Sequence, residues 1–285
     1  MRIILISREY GLGGTERRLT DLAEELELRN LDVEVYFNRI KWRHTFFNKI
    51  RNTTIVRLFY LVFKLYNFRP DIVNTFDLES GIYINIARKM YIGKFIHVSG
   101  TGAGRVYNLM TRKILASSYL LADVYVCNSK GASLDLQVLI QGKRQVKRIL
   151  NGLNPLRLNT QISEEIAFHT IGFNKKTIGY IGKFDDIKHG ERMLDMAIIM
   201  LNTKRYSDLH FMLIGAGPNR SKLLEAWMLL PDCMKASITI LDPIPNAGRI
   251  SKYFTIGILC SDSEGFPNVL LEYMYFGIPW ISTNV

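Results

Sequence analysis

Two glutamates stand eight positions apart in the run EGFPNVLLE, residues 264–272. Proline suits the first turn of a helix, so Pro267 predicts a helix start at which backbone N–H groups could receive a phosphate. Glu264 would then lie in the loop before this helix, and Glu272 about a turn and a half inside it. Two carboxylates so placed could bind different hydroxyls of one phosphorylated ligand. Alternatively, Glu264 caps the helix and Glu272 pairs with a surface lysine.

Lys183 and Lys188 stand five positions apart in the segment GKFDDIKHG, residues 182–190. Lysines in a loop beside a helix start could hold a diphosphate as point charges, and the alternative is a solvated loop. The adjacent Asp185 and Asp186 could bind a metal ion. An acidic pair among loop lysines is more typical of a structural role, so no metal site is expected.

A glycine-rich segment, GLGGTE over residues 11–16, precedes an amphipathic segment near the N-terminus. Glycines before a helix let a phosphate or a sugar approach the N–H groups that carry the positive end of the helix dipole. A dinucleotide-binding fingerprint would need glycine in place of Glu16 and an acidic residue near Phe37, so a dehydrogenase is disfavoured. A tight turn without a ligand is the alternative.

These three loops all follow predicted strands. Short apolar, β-branched runs alternate with longer amphipathic segments, which is typical of parallel sheets with helices on both faces. In such sheets ligands bind at the carboxyl ends of the strands. The predicted strands are residues 2–7, 32–37, 71–75, 94–99, 123–127, 145–150, 177–181, 209–214, 237–241, 256–260 and 279–283.

The length of 285 residues predicts two domains, each able to bury its own core. A polar stretch follows the turn-forming pair Asn151-Gly152, with one short helix possible near residues 163–169. We therefore expect an α/β fold with an N-terminal domain over residues 1–152, a hinge over 153–175 and a second domain over 176–285. The second domain ends on a strand with no helix after it.

In this order, the motifs resemble those of the family 4 (group 1) glycosyltransferases, which have the GT-B fold. The resemblance implies two doubly wound, Rossmann-like domains facing across a cleft, the first binding the acceptor and the second a nucleotide-sugar. The matching residues are Gly13, Gly14, Thr15 and Glu16; Asn128 and Ser129; Asn151 and Gly152; Gly182, Lys183, Phe184 and Lys188; Gly215, Ala216, Gly217 and Pro218; and Glu264 with Glu272.

The resemblance implies a retaining, metal-independent transferase that needs no cofactor besides its nucleotide-sugar. Glu272 would bind the ribose hydroxyls, Glu264 would bind the donor sugar, and Lys183 and Lys188 would neutralise the diphosphate leaving group. Further donor-binding positions would be Gly14, Gly215, Gly217, Pro218, Gly265, Phe266, Pro267, Asn268 and Val269. The acceptor side would include Gly13, Thr15 and Glu16.

Three departures from the family pattern stand out. Lys183 replaces the usual arginine and so lacks its bidentate fork. Asn74, Thr75 and Phe76 stand where many members carry two histidines, and His97 on the next predicted strand is expected to be structural. Members normally continue past the last strand with closing helices, so a truncated, non-catalytic nucleotide-sugar-binding protein is the alternative function.

The net charge of +11 lies entirely in the first half: residues 1–150 hold 24 Lys and Arg against 13 Asp and Glu, and the rest hold 13 of each. Residues 39–70 contain eight basic residues, no acidic one and many aromatic ones. This composition favours docking on an anionic membrane, and the alternative is a core helix with a solvated basic face. No motif of a nucleic-acid reader is present, so nucleic acid is not an expected partner.

The setting predicted from the sequence is cytoplasmic, with peripheral attachment to the inner face of the membrane. The N-terminal apolar run, residues 3–6, is too short for a signal-peptide core or a membrane span. Three cysteines without a CxxC pair predict buried free thiols rather than zinc or redox sites.

Overall fold

A computed structural model of the protein describes residues 1–9, 14–39, 54–101, 122–140, 142, 144–160, 176–203, 206 and 208–285. The chain divides into two compact units, Met1–Gly152 and Leu153–Val285. Each unit is built around one parallel β-sheet with helices between its strands. The α/β class that the alternating pattern predicted is therefore confirmed.

The N-terminal unit has six strands in the order β2-β1-β3-β4-β5-β6, all parallel. Its elements are β1 (Arg2–Glu9), α1 (Gly14–Leu28), β2 (Asp32–Arg39), α2 (Thr54–Phe68), β3 (Ile72–Thr75), α3 (Leu78–Met90), β4 (Ile96–Thr101), β5 (Val124–Cys127), α4 (Lys130–Leu139) and β6 (Gln145–Arg148).

Strand β1 shows why this sheet is covered on both faces. Successive side chains of a strand point to opposite faces, so Ile4 and Ile6 pack with α2 and α3 while Ile3 and Leu5 pack with α1. All four isoleucine and leucine side chains are buried. A continuous apolar run is what a strand covered on both faces requires, and this run had predicted a buried parallel strand.

The C-terminal unit has five parallel strands in the order β11-β10-β7-β8-β9. Its elements are α5 (Pro155–Leu158), β7 (Lys176–Ile181), α6 (Gly190–Leu201), β8 (Leu209–Ile214), α7 (Arg220–Met228), α8 (Asp232–Lys235), β9 (Ile238–Leu241), a 3-10 helix (Ala247–Tyr253), β10 (Ile256–Leu259), α9 (Asn268–Tyr275) and β11 (Trp280–Ser282).

Two glycines in neighbouring strands let aromatic rings lie close to this sheet. A Cβ on Gly179 would stand 2.0 Å from the Phe254 ring, and one on Gly257 would stand 2.3 Å from the Tyr273 ring. Tyr273 is fully buried and donates its hydroxyl to the Gly179 carbonyl at 3.4 Å. These contacts pack the 3-10 helix and α9 on one face of the sheet.

Each of the eleven predicted strands is present, with both ends within two residues of the prediction. Residues 153–160, at the start of the predicted hinge, pack on the C-terminal unit: Tyr275 Oη donates to Asn159 Oδ1 and Arg249 donates to Thr160 Oγ1, both at 3.1 Å. The helix predicted near residues 163–169 lies outside the described residues. Among the residues described, none of the helices is long and apolar enough to cross a membrane.

Candidate functional site

The strand order of the C-terminal sheet reverses between β7 and β10, which are neighbours in the sheet although β8 and β9 lie between them in the chain. The loops that follow these two strands therefore leave the same edge of the sheet side by side, and such a switch point is where open α/β sheets bind ligands. The two loops are joined directly, because the Asp262 N–H donates to the Ile187 carbonyl at 2.8 Å.

The loop after β7 is supported from the sheet by an aromatic pair. Tyr180 stacks on Phe184 and donates its hydroxyl to the carbonyls of Lys183 and Lys188, at 2.8 and 3.2 Å. Burial raises the pKa of Tyr180, so its hydroxyl stays a donor. This contact fixes the backbone of both lysines, while the side chain of Lys183 is exposed and that of Lys188 is partly buried.

The acidic pair of this loop has structural partners. Asp185 Oδ1 accepts the N–H groups of Ile187 and Lys188 at 3.1 and 2.8 Å, and Asp186 Oδ1 accepts an N–H of the Asn219 side chain at 2.6 Å. The structural role predicted for the pair is confirmed. In the part of the chain that the structure describes, no three His, Cys, Asp or Glu residues form a group that could hold a metal ion.

Lys188 and Glu264 form an ion pair across the switch point, between Nζ and Oε1. The same carboxylate oxygen accepts the Ser261 hydroxyl at 2.7 Å, and only 10% of the Glu264 side chain is exposed. The residue before α9 is Pro267, and the helix has no side-chain cap. The alternative in which Glu264 merely caps this helix is therefore wrong.

Glu272 lies one turn inside α9 and is 3% exposed. Its carboxylate fits against Gly248 of the 3-10 helix, where an added Cβ would stand 2.3 Å from the carboxyl carbon. Glu272 is thus a buried residue and not one at the surface. Helix α9 begins at Asn268, so Pro267 stands one residue before the helix rather than in its first turn.

The loop after β8 packs against the loop after β7 through two glycines. A Cβ on Gly215 would stand 1.8 Å from the Gly182 carbonyl oxygen, and one on Gly217 would stand 2.1 Å from that of Phe184. The Phe184 N–H donates to the Ala216 carbonyl at 3.0 Å. These glycines thus have a packing requirement beside the donor-binding role that the resemblance implies, and Pro218 next to them is exposed.

A second charged cluster at the same edge was not predicted from the sequence. His189 has a left-handed backbone, with φ of 50°, and its two ring nitrogens face the carboxylates of Glu191 and Asp262. Asp262 also accepts Arg192 at 2.6 Å. The hydrogen bond to Glu191, followed by that to Asp262, raises the pKa of His189, and Arg192 and His189 lower the pKa of Asp262. The cluster therefore joins the loop after β7, which contains Lys188, to the loop after β10, which contains Glu264.

The corresponding edge of the N-terminal unit is described in part. Gly14 opens α1 and Thr15 follows it, whereas Gly13 and the side chain of Glu16 lie outside the described residues. Asp77 after β3 accepts the Arg8 N–H at 2.6 Å and caps α3 through the Ser80 N–H at 2.9 Å. Strand β1 and helix α3 are thereby joined at the switch point between β1 and β3.

His97 on β4 is 1% exposed and has hydrogen-bond partners at both ring nitrogens, with Asn85 Oδ1 at 3.0 Å and Thr75 Oγ1 at 3.1 Å. Burial, assisted by Arg88, lowers the pKa of His97 to about 4. The structural role predicted for this histidine is confirmed. After β5, Ser129 caps α4 through the Ala132 N–H at 3.1 Å, and Asn128 is buried beside it.

Comparison with solved structures defines the fold class. The chain is similar to Anabaena Alr3699/HepE in complex with UDP and glucose, with 15% identity, 99% of this chain and 80% of that chain covered, and a TM-score of 0.71. It is also similar to the apo form of the lipopolysaccharide outer core galactosyltransferase WaaB, with 19% identity, coverage of 99% and 80%, and a TM-score of 0.63. The expected GT-B fold is confirmed.

The C-terminal unit also matches a family model. Residues 175–285 match the family model described as glycosyl transferases, group 1, which confirms the resemblance drawn from the motifs.

One curated relative matches over 142 residues at 28% identity, which is 50% of this chain and 37% of the relative. It is the GalNAc-α-(1→4)-GalNAc-α-(1→3)-diNAcBac-PP-undecaprenol α-1,4-N-acetyl-D-galactosaminyltransferase of Campylobacter jejuni. The chain thus spans well under half the length of that protein.

Proposed function

We propose that the protein is a retaining glycosyltransferase that moves a sugar from a nucleotide-sugar to a saccharide or lipid-linked saccharide. The pathway class we propose is surface polysaccharide or glycolipid assembly, such as lipopolysaccharide or capsule. The observation that carries this proposal is the pairing of Lys188 with Glu264 at the switch point, beside the helix that contains Glu272. The match of the C-terminal unit to the group 1 glycosyl transferase model supports it.

The ion pair suggests how the donor enters. A diphosphate can replace the Glu264 carboxylate as the partner of the Lys188 ammonium, so the partly buried charge is never left unpaired. Glu264 is then released to accept hydroxyls of the donor sugar. Lys183, which is exposed in the same loop, supplies a second positive charge, and the two lysines stabilise the departing diphosphate without a metal ion.

The other donor contacts come from the same edge. The positive end of the α9 dipole, at Asn268 and Val269, faces the side on which Gly265, Phe266 and Pro267 approach the helix. In this proposal these residues cradle the phosphates, Glu272 binds the ribose, and the loop of Gly215, Gly217 and Pro218 borders the base. Anabaena HepE, which has a similar fold, is known in complex with UDP and glucose, and this supports a nucleotide-sugar site here.

The acceptor is proposed to bind at Gly13, Thr15 and Glu16 of the N-terminal unit. The Campylobacter relative's name specifies an undecaprenol-linked saccharide acceptor, which supports a lipid-linked acceptor for this chain. We place the reaction in the cytoplasm, at the inner face of an anionic membrane.

A thermal-shift panel of UDP-, GDP- and ADP-sugars tests the donor site. A ligand present at a hundred times its dissociation constant should stabilise the folded protein by about 2.7 kcal/mol. Glu272→Ala should reduce the shift, whereas Glu225→Ala, on the exposed surface of α7, should leave it unchanged. No shift with any donor would remove the donor site from the proposal. A shift without sugar transfer to any acceptor would favour a non-catalytic nucleotide-sugar-binding protein.

A further inference from the structure

Helix α2 exposes a continuous row of large apolar side chains, which we call the outer strip. These residues recur at intervals of four, four and three, so on a helix with 3.6 residues per turn they share one face. They are Ile55, Phe59, Phe63 and Tyr66, and their exposed fractions are 66%, 59%, 57% and 42%.

The opposite face of α2 provides the packing that holds the helix on the sheet. Leu61 and Leu65 are buried in the core with Ile4 and Ile6. The outer strip is therefore not needed to attach the helix to its own unit. Exposed aromatic and aliphatic side chains in such a row mark an interaction surface.

The basic side chains of α2 are arranged differently from both sequence interpretations. Arg57 lies 3.6 Å from Glu79, and Lys64 lies 2.9 Å from Glu34, with side chains only 12% and 30% exposed. Neither of these two basic side chains is fully solvated. The charged residues are drawn toward the protein while the apolar residues face outward.

The outer strip continues onto the segment after α3. Tyr66 Oη donates to the Met90 carbonyl at 3.1 Å and accepts the Ile92 N–H at 3.3 Å. Met90 is 41% exposed and Ile92 is 92% exposed. The apolar surface thus extends from the start of α2 to the end of α3.

Cations accompany this apolar surface. Three basic side chains are exposed here: Arg69 just after α2, Lys89 in the last turn of α3, and Lys94 after α3. Helix α2 itself contains no acidic residue. A second copy of this chain would bring the same excess of positive charge to the contact, whereas an anionic bilayer would bring the opposite charge.

We infer that the outer strip is the membrane-contacting element of this protein: α2 lies along an anionic bilayer and inserts Ile55, Phe59, Phe63 and Tyr66 into its interface. An apolar helix face with cations beside it is the arrangement that binds in the plane of a membrane surface. Attachment then depends on apolar insertion as well as on charge.

The connection from β2 through α2 to the parallel strand β3 decides which end of the outer strip lies at the carboxyl edge of the sheet. The helix must return antiparallel to the strands, so its first residues lie at the carboxyl edge of the sheet, where the acceptor is proposed to bind. The choice of a lipid-linked acceptor rests on the proposed function, but the membrane contact itself needs no substrate.

Co-flotation of the full chain with vesicles tests this inference. We expect binding to vesicles of equal parts phosphatidylglycerol and phosphatidylethanolamine, and at least ~10-fold weaker binding after Phe59→Ser with Phe63→Ser. Raising the salt to about 0.5 M should weaken the wild-type binding without abolishing it, because the apolar contact is not screened. The tryptophan fluorescence that Phe63→Trp adds should be quenched by lipids brominated on their acyl chains.

The matched control changes two exposed apolar residues on another helix of the same unit. Leu134→Ser with Val138→Ser on α4, where these side chains are 52% and 79% exposed, should bind vesicles as the wild type does. Equal melting temperatures would show that both double variants are folded.

Three outcomes would overturn the inference: no wild-type flotation, equal flotation of the Phe59/Phe63 variant, or a lipid-free dimer that this variant dissociates while vesicle binding is unchanged. Donor-induced thermal shifts in lipid-free solution are independent of these results, so a failure here is distinguishable from a failure of the proposed transferase.

Discussion

His97 in the N-terminal unit and His189 in the C-terminal unit have opposite electrostatic surroundings. The ring of His97 has neutral hydrogen-bond partners on β3 and α3, and burial, assisted by Arg88, lowers its pKa to about 4. His189 lies in a loop at the sheet edge between two carboxylates, and its pKa is raised by them. A ring that donates from both nitrogens to carboxylates is the protonated form, whereas the His97 ring is neutral.

The contrast separates two uses of polar residues in parallel sheets. In the N-terminal unit the His97 ring is buried and both of its nitrogens have hydrogen-bond partners, so its replacement should lower the stability of this unit. In the C-terminal unit charged groups are paired near the surface, where a ligand can exchange partners with them. The next four experiments test this distinction, from the largest expected effect to the smallest.

Lys188→Ala should lower turnover in a transferase assay by about 10²-fold or more, because the departing diphosphate would lose a positioned charge. The comparison predicts a much smaller effect on stability than on rate. Lys222→Ala on the exposed surface of α7 is the matched control and should leave turnover unchanged. Turnover within threefold of wild type for Lys188→Ala would contradict the catalytic use of this cluster.

Acid should destabilise the N-terminal unit through His97. Its folded pKa lies below its unfolded value of about 6.5, so the unfolded chain binds more protons, and stability is lost as the pH falls from 6.5 toward 4. The loss should reach at most about 3 kcal/mol, measured by urea unfolding across this range. His97→Gln should flatten this part of the pH profile; an unchanged profile would show that other groups cause it.

Asp77→Ala should lower the free energy of unfolding of the N-terminal unit by about 1 kcal/mol, because α3 loses its cap and the Arg8 N–H loses its acceptor. Urea unfolding midpoints measure the effect. Asp77→Asn keeps an acceptor oxygen and should retain most of the stability, so equal losses for both variants would point to the charge rather than the cap.

His189→Gln should have the smallest effect, below about 1 kcal/mol, because its carboxylate partners Glu191 and Asp262 are about half exposed. The sign is opposite to that of His97: a raised folded pKa gives stability that is complete below pH 6.5 and is lost as the pH rises through the folded pKa. Unfolding midpoints at pH 6 and pH 8 test this. A larger difference in the variant than in the wild type would contradict it.

Much of the fold was predictable because strand formation depends on local patterns. The apolar runs that form β1 and β8 are visible in the sequence, and all six residues of β8 are indeed buried. The role of the Asp185 and Asp186 pair was also predicted correctly from residue type and neighbours. The ion pair of Glu264 was not predicted, because its partner Lys188 is 76 residues away in the sequence and no local pattern indicates such a contact.

The charged cluster of His189, Asp262 and Arg192 was missed for the same reason. None of these residues belongs to a recognisable local motif. The left-handed backbone at His189 was not predictable either, because glycine or asparagine usually occupies that conformation. The density of charge in the two loops, residues 182–192 and 260–264, was the one available signal. It became informative when β7 and β10 proved to be neighbours.

The sequence by itself determined the α/β alternation, the positions of the strands and the residues at their carboxyl ends, since these follow from periodicity and residue type over a few positions. The tertiary structure decided which strands are neighbours, and hence that Lys188 meets Glu264. It also decided that Glu272 is buried and that α2 turns aromatic residues outward while Arg57 and Lys64 pair inward. Partner choice and burial depend on contacts between distant segments, and those contacts set pKa, charge pairing and exposed surface.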